Sequence, residues 1–260
     1  MTNNKDFEIV DLNFANPNTG VSYSFKVREN TVDKNIVNEV IVADTYQLHS
    51  IMSNVGGGTW SPSVIVDMGA HIGSFTILAN SLFPHSKIYS YEACKDNFDI
   101  LELNVDNSIH NEHDNIKIEN KVVCGTRLPT SMRSEGKAVS IGQKLPEQIS
   151  DHNTGGRKFV YTGDKTLDVN YTTLPEIIES NSISQIDILK MDIEGSEYEV
   201  LRHMKEQNML SRINCLICEL HINENDDRYF YKFFDYLEEF RHITAAQLPG
   251  TKSRIVTCFL

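Results

Sequence analysis

The chain has 260 residues, of which 40% are apolar, and this length allows one large domain with a complete hydrophobic core. Asp and Glu outnumber Lys and Arg by 36 to 24, so the formal net charge of −12 repels nucleic acid and anionic membranes at long range. We therefore expect neither nucleic acid nor a membrane as a partner.

The cysteine content and the first residues indicate the compartment. Five cysteines at wide spacing do not form the pattern of a disulfide framework. The start, MTNNKDFEIV, lacks a basic stretch followed by an apolar one, and no apolar run approaches the roughly 18 residues of a membrane span. The sequence therefore predicts a soluble protein of the reducing cytoplasm.

Residues 1–60 are expected to form an N-terminal extension. They combine short β-like stretches such as VSYSFKV with an apolar-periodic segment, VNEVIVADTYQLHSIM, of helical spacing. The GGGTWSPS stretch at the end predicts a flexible joint. We interpret this joint as a linker, and the alternative is a hinge for an N-terminal lid.

From residue 61 to residue 260 the chain alternates short apolar runs with helical patterns, which is typical of parallel βαβ units. The predicted strands are 64–68, 87–92, 116–123, 186–191 and 213–219. The predicted helices are 95–107, a helix from a Thr173–Glu176 capping box to about Ser180, and one within DDRYFYKFFDYLEEF. The last two stretches, HITAAQL and RIVTCFL, predict an antiparallel hairpin.

Residues 124–165 interrupt this alternation and are interpreted as an insertion at the carboxyl edge of the sheet. Between Lys121 and Lys165 there are eight Lys or Arg against four Asp or Glu, a local excess of positive charge in an acidic chain. The segment is either a solvated loop or a cap that binds an anionic substrate.

The segment VIVDMGAHIGSF places a glycine-rich turn between the first strand of the main domain and its helix. Such turns bind nucleotides in α/β sheets, because backbone amides at a helix N-terminus are exposed there. A G-x-G-x-x-G pattern that starts at Gly69 would need its other glycines at His71 and Ser74. Since the second glycine lets the backbone approach a pyrophosphate, His71 argues against a tightly held diphosphate.

The remaining pattern is an acid before the turn, Asp67, followed by Gly69, Ala70 and Gly73. An acid at this place would repel a phosphate and suits a cationic ligand. The next strand ends in Glu92, from which a carboxylate accepts hydrogen bonds from both ribose hydroxyls of an adenosine. An adenosine with a cationic amino-acid tail is S-adenosylmethionine, although each element alone is more often ordinary turn chemistry.

A second group of ionisable residues follows later strands. Asp192 and Glu194 end the strand of DILKMDIEGSE, and the strand of CELH delivers Glu219 and His221. Because the carboxyl ends of parallel strands line one crevice, these side chains are expected to face the cleft that holds Gly69.

Four blocks in this order resemble the FkbM-type family of S-adenosylmethionine-dependent methyltransferases. They are VIVDMGAHIGSF, YSYEACKDNFDILELN, IDILKMDIEGSEYEVL and CLICELH, and together they span roughly residues 62–222. The resemblance implies an α/β class I methyltransferase fold, Rossmann-like, with a seven-stranded, mostly parallel sheet, an antiparallel last strand and helices on both faces. It also implies O-methylation of a hydroxyl on a sugar, polyketide or other small metabolite.

The resemblance further implies roles for individual residues. The methionine part of the cofactor falls to Asp67, Gly69, Ala70 and Gly73, the ribose to Glu92, and the adenine to Val122, with Asp192 facing the methyl donor. This chain departs from the family at two positions of the cofactor site: His71 replaces the usual asparagine, and Ala93 replaces the usual proline.

We expect His221 to act as the general base for the acceptor hydroxyl, with Asp192 or Glu219 sharing or orienting that task. The sequence shows no dedicated set of metal ligands, so we expect no metal; the alternative is a divalent metal on Asp192 with other carboxylates nearby. The acceptor is expected to be a small molecule or glycan. The basic insertion hints that this acceptor carries an anionic group. Two other functions stay open: an NAD-dependent oxidoreductase, which His71 disfavours, and a non-catalytic nucleoside-binding scaffold protein.

Overall fold

The computed structural model describes residues 7–54, 60–108, 115–125, 139–144, 158–160, 166–221, 228–248 and 251–260. Its helices are α1 (Asp33–Ile41), α2 (Leu48–Asn54), α3 (Ser74–Leu82), α4 (Lys95–Ser108), α5 (Leu174–Ser180), α6 (Glu197–Glu206) and α7 (Arg228–Asp235). Its strands are β1 (Ile9–Ala15), β2 (Ser22–Arg28), β3 (Val64–Met68), β4 (Lys87–Glu92), β5 (Ile116–Asn120), β6 (Val122–Cys124), β7 (Val139–Lys144), β8 (Lys158–Val160), β9 (Thr166–Val169), β10 (Tyr171–Thr173), β11 (Ile186–Met191), β12 (Ile213–Leu220), β13 (His242–Gln247) and β14 (Arg254–Phe259).

Seven of the described strands form the central sheet, in the order β13-β14-β12-β11-β3-β4-β5. The five strands from β12 to β5 are parallel, whereas β14 runs antiparallel between β12 and β13. This arrangement confirms the predicted class I methyltransferase fold, including the antiparallel last strand and the terminal hairpin. It also places the carboxyl ends of β3, β4, β11 and β12 at one edge of the sheet.

Helices cover both faces of the sheet, as predicted. Alternate residues of each strand point to opposite faces, so Ile65 and Ile188 pack with α3 and the N-terminal segment, while Val66 and Leu189 pack with α5, α6 and α7. The strands are buried on both sides and are therefore almost continuously apolar. None of the helices in the described residues combines the length and the apolar character that a membrane crossing requires.

We define the N-terminal segment as residues 7–54. It packs on the face of the sheet that carries Ile65, Ile188 and α3. Its hairpin of β1 and β2 is tied to α4, because the Asn104 side chain accepts a hydrogen bond from the Lys26 amide and donates one to the Lys26 carbonyl. The apolar-periodic stretch is helical in two pieces, α1 and α2, rather than one. The joint predicted at GGGTW lies mostly outside the described residues, so the division at residue 60 stays a prediction.

Two details differ from the predicted elements. The run 116–123 is divided at Lys121, because β5 pairs with β4 while β6 pairs with β10. The capping box of Thr173 and Glu176 opens α5 as predicted, but α7 ends at Asp235, earlier than its aromatic pattern suggested. Around the predicted insertion, β7 pairs antiparallel with β8 and with β9, and the connecting residues 126–138, 145–157 and 161–165 lie outside the described residues.

Candidate active site

The glycine-rich turn after β3 alternates left-handed backbone positions. Gly69, His71 and Gly73 have φ values of 82°, 51° and 93°. A Cβ on Gly69 would lie 1.8 Å from the backbone oxygen of Asp192, so only glycine lets the turn approach the end of β11 this closely. The turn and Asp192 therefore form one rigid unit at the edge of the sheet.

Glu92 holds the other side of this turn. Its Oε2 accepts a hydrogen bond from the His71 amide at 2.8 Å, and its Oε1 accepts bonds from the Cys94 amide at 2.8 Å and from the Asn97 side chain at 3.4 Å. Burial raises the pKa of Glu92, while these hydrogen bonds and His71 oppose the rise. The carboxylate is thus fixed in one orientation at the place where the sequence predicted ribose binding.

Asp67 has a different position from the one predicted for it. Its side chain is fully buried behind the turn, where it accepts a hydrogen bond from Thr76 at 2.7 Å and lies 3.2 Å from the Lys190 ammonium. Lys190 also donates to the Gly69 carbonyl at 2.7 Å. The charge of Asp67 is therefore already matched by Lys190, whose hydrogen bond to the Gly69 carbonyl links Asp67 to the turn.

A cavity of about 640 Å³ opens in front of these residues, a size that holds a small-molecule ligand. Seven of the predicted site residues line it: Gly69, His71, Glu92, Ala93, Val122, Asp192 and Glu219. Four do not, namely Asp67, Ala70, Gly73 and His221. The predicted cofactor residues and the predicted catalytic carboxylates thus share one cavity.

The lining of this cavity is acidic. Its carboxylates are Glu39, Glu92, Asp192, Glu194 and Glu219, and Lys121 is the one lysine or arginine among the described lining residues. Such a cavity favours a ligand with cationic centres and repels a diphosphate.

One wall of the cavity comes from the N-terminal segment, which sequence reasoning had set aside as an extension. Its lining residues are Val32, Asn35, Ile36, Glu39, Val40, Ala43, Thr45 and Tyr46. The Tyr46 hydroxyl donates a hydrogen bond to Asp192 at 2.9 Å. No motif in the sequence marks this tyrosine, whereas Lys190 could have been suspected because a lysine inside a buried strand needs a partner.

His221 lies beside the cavity within a ring of carboxylates. Its Nδ1 is 2.9 Å from Glu197 Oε1, and its Nε2 is 3.5 Å from Glu194 and 3.8 Å from Asp192. Burial alone would lower the pKa of His221, but these carboxylates raise it well above its ordinary value of 6.5. The raised pKa favours the protonated form of His221. The role of general base expected from the sequence stays a prediction.

The pKa of Glu219 is also raised, which makes its carboxylate a stronger base than an ordinary glutamate. Burial and the neighbouring charge of Asp192 raise the pKa of Glu219 to about 8, while His221 and Lys190 oppose the rise.

Donor atoms of Asp192, Glu219 and His221 lie within 4.8 Å of one another, a spacing compatible with a divalent cation. This cluster is where the sequence left open a divalent metal on Asp192 with other carboxylates nearby.

All five cysteines are free and buried, as expected from their spacing. Burial raises the pKa of Cys218 well above its ordinary value, and burial likewise raises that of Cys215. Both thiols of the C-x-x-C sequence are thus neutral core residues of β12.

Comparison with known proteins identifies the family. A family model described as the methyltransferase FkbM domain matches residues 67–244, which include both site motifs. The chain belongs to the FkbM methyltransferase family. This membership confirms the resemblance found in the sequence and assigns the chain to the methyltransferases.

Two relatives of this FkbM-family chain are methyltransferases by name. Methyltransferase sdnD of Sordaria araneosa is 26% identical over 192 residues, which cover 66% of this chain and 69% of the relative. Hexuronic acid methyltransferase AglP of Haloferax volcanii is 26% identical over 158 residues, 61% of this chain and 56% of AglP. The alignment with AglP thus spans little more than half of that protein.

Solved structures of other methyltransferases are similar in fold at low sequence identity. The N-terminal domain of human METTL16 in complex with SAH aligns over 95% of this chain and 87% of that chain, with 12% identity and a TM-score of 0.47. A putative O-methyltransferase from Klebsiella pneumoniae aligns over 85% and 81%, with 12% identity and a TM-score of 0.44. At these TM-scores the similarities carry no argument about substrate.

Proposed function

We propose that this FkbM-family chain is an S-adenosylmethionine-dependent O-methyltransferase that methylates a hydroxyl on a sugar, polyketide or other small metabolite. The observation that carries the proposal is one cavity bordered by the Gly69 turn, by the fixed carboxylate of Glu92, and by Asp192 and Glu219. S-adenosylmethionine supplies, when bound, an electrophilic methyl group on a sulfonium centre. The free cysteines support a reducing compartment such as the cytoplasm.

The residues present fit this cofactor better than they fit NAD. Gly69 leaves room that a side chain would fill, and Glu92 can accept hydrogen bonds from ribose hydroxyls. The acidic lining suits the sulfonium and ammonium charges of S-adenosylmethionine, whereas a pyrophosphate would face carboxylates and the His71 side chain. A scaffold protein would not need ionisable groups with shifted pKa values beside the cavity, although such shifts also occur in purely structural clusters.

In this proposal the chain mainly aligns the acceptor and removes its proton. Asp192 lines the cavity and accepts a hydrogen bond from Tyr46, so that it can orient the acceptor hydroxyl. Glu219 accepts the proton, because it lines the cavity and its raised pKa matches proton transfer near neutral pH. His221 stays protonated and neutralises part of the surrounding negative charge.

The acidic lining also bears on the acceptor. Carboxylates at Glu39, Asp192 and Glu194 favour a neutral hydroxyl compound over an anionic one. This differs from the hint of an anionic acceptor given by the basic insertion, whose loops lie outside the described residues. AglP is by name a hexuronic acid methyltransferase and supports a sugar as the acceptor class. The preference for a neutral sugar over a sugar acid rests on the acidic lining alone.

The test uses S-adenosylmethionine carrying a ¹³C-labelled methyl group and a panel of neutral sugars, hexuronic acids, polyketide alcohols and amines. Labelled product detected by ¹³C NMR as a methoxy group on a neutral sugar or alcohol supports the proposal. Label on nitrogen only, or on a hexuronic acid carboxyl only, contradicts O-methylation of a hydroxyl. With an acceptor in hand, Glu219→Gln should lower kcat by roughly 10²-fold or more at unchanged cofactor affinity, and an unaffected kcat would return the base to Asp192 or His221.

A further inference from the structure

The N-terminal segment lies before the residues that the FkbM family model matches, yet it borders the same cavity. Two of its side chains contact residues of the cofactor site. Asp33 of α1 contacts His71, and Tyr46 contacts Asp192. These contacts reach the turn at one end of the cavity and the acidic cluster at the other.

The first contact belongs to a buried network. Asp33 is fully buried, accepts hydrogen bonds from the Arg28 side chain at 2.8 and 2.9 Å, and lies 3.4 Å from His71 Nε2. Burial alone would raise the pKa of Asp33, but His71 and Arg28 hold that pKa well below its ordinary value. The Arg28 side chain also donates a hydrogen bond to the Asn97 side chain at 2.8 Å, and the Asn97 amide group donates one to Glu92. The network therefore fixes the His71 ring and reaches the carboxylate proposed to bind ribose.

The second contact orients Asp192. Tyr46 is buried, with its ring edge packed on Phe75 at a centroid distance of 5.6 Å. The Lys190 ammonium lies 5.3 Å from the centre of the Tyr46 ring, and the hydroxyl donates to Asp192. Since packing fixes the ring, the hydrogen bond holds the Asp192 carboxylate in one orientation.

We propose that the N-terminal segment is part of the cofactor site, with Asp33 and Tyr46 as positioning residues. Asp33 acts through His71 and Glu92, and Tyr46 acts through Asp192. This inference rests on the proposed function, because the ligand is S-adenosylmethionine or its product S-adenosylhomocysteine. Side chains fixed before binding lower the ordering cost of the complex, so loss of either contact should weaken binding about 5- to 10-fold.

The test is calorimetric titration of the full chain with S-adenosylhomocysteine, which needs no acceptor. Asp33→Asn and Tyr46→Phe are compared with wild type, and thermal unfolding of each variant is recorded in parallel. Tyr23→Phe is the matched control, because Tyr23 also belongs to the N-terminal segment and donates to Ser81 at 2.9 Å away from the cavity. Should Asp33→Asn not fold, Tyr46→Phe retains its ring packing and carries the test.

A double-mutant cycle separates positioning from general structural loss. If Tyr46 acts through Asp192, then Tyr46→Phe should change affinity little in an Asp192→Ala background, which has no acceptor for the Tyr46 hydroxyl. Additive losses in that cycle, or an equal loss in Tyr23→Phe, would overturn the positioning role. Wild-type affinity in both Asp33→Asn and Tyr46→Phe would overturn the inference and leave the proposed function standing, whereas a wild-type chain that does not bind S-adenosylhomocysteine would overturn both.

Discussion

Lys190 and Asp67 form a buried ion pair across two neighbouring parallel strands. They are in register on β11 and β3, and the ammonium lies 3.2 Å from the carboxylate in a site that water barely reaches. The same ammonium lies 3.8 Å from Asp192. Lys190 therefore joins the cofactor turn to the acidic cluster and offsets the charge of both.

Removal of this lysine should be strongly destabilising. Lys190→Met leaves the buried Asp67 carboxylate without its cation, so we expect the free energy of unfolding to fall by about 3–5 kcal/mol. The control is Lys26→Met, which breaks the exposed pair with Asp11 and should cost less than about 1 kcal/mol. Urea denaturation measures both, and equal losses would contradict the structural role of Lys190.

Alanine substitutions at Gly69 and Gly20 separate the effect of backbone strain from the effect of close packing. Both have left-handed φ values, 82° and 72°, but a Cβ on Gly20 would meet no atom within 4 Å. Gly20→Ala therefore carries strain alone, while Gly69→Ala also displaces the Asp192 backbone. We expect Gly69→Ala to lose at least 10-fold in S-adenosylhomocysteine affinity by calorimetry, with no change for Gly20→Ala; similar behaviour of the two variants would argue against the close approach.

Glu219 should make stability depend on pH. Its pKa of about 8 in the folded chain exceeds its ordinary value of 4.5, so between these values the folded state binds the proton more tightly than the unfolded state. The free energy of unfolding should therefore fall as the pH rises from about 5 to 8, and Glu219→Gln should remove part of that slope. Urea denaturation at several pH values measures it. Identical slopes for both proteins would contradict a raised pKa.

His221 also makes the free energy of unfolding fall as the pH rises. Its pKa is raised in the folded chain, so its stabilising contribution is complete below pH 6.5 and is lost as the pH rises through the folded value. Because His221 Nε2 lies 3.7 Å from Glu219, Glu219→Gln also changes the His221 contribution, and the difference between the two proteins reports on the pair.

The cluster of Asp192, Glu219 and His221 predicts a clear outcome on metal removal. Lys190 and His221 already supply positive charge to these carboxylates, so we expect S-adenosylhomocysteine affinity and methyl transfer to survive dialysis against EDTA. The matched sample is dialysed without chelator. A loss of activity that added Mn²⁺ or Mg²⁺ restores would instead assign the three donors to a metal.

The sequence predicted the sheet well because periodic apolar runs and turn residues are local signals. The strands β3, β4, β11 and β12 and the terminal hairpin follow directly from such runs, and Gly69 and Glu92 follow from their position after strands. Contacts between distant segments leave no such signal. Nothing near Tyr46 indicates that its hydroxyl meets Asp192, 146 positions later in the chain.

Charge state was the other feature that local sequence could not supply. Asp67 was expected to face a ligand, but Lys190 of a neighbouring strand already pairs with it. His221 was expected to be a neutral base, but carboxylates of the 192–197 segment surround it and raise its pKa. Both observations depend on which side chains converge in three dimensions, and a motif read along one strand does not contain that information.

Calorimetric titration of the wild-type chain with S-adenosylhomocysteine and with NAD is the most direct test of the cofactor assignment. Glu92→Ala and the exposed Glu102→Ala on α4 serve as the variant pair. We expect micromolar binding of S-adenosylhomocysteine to wild type and Glu102→Ala, at least 10-fold weaker binding to Glu92→Ala, and no binding of NAD. Tight binding of NAD, or S-adenosylhomocysteine affinity that is unchanged in Glu92→Ala, would contradict it.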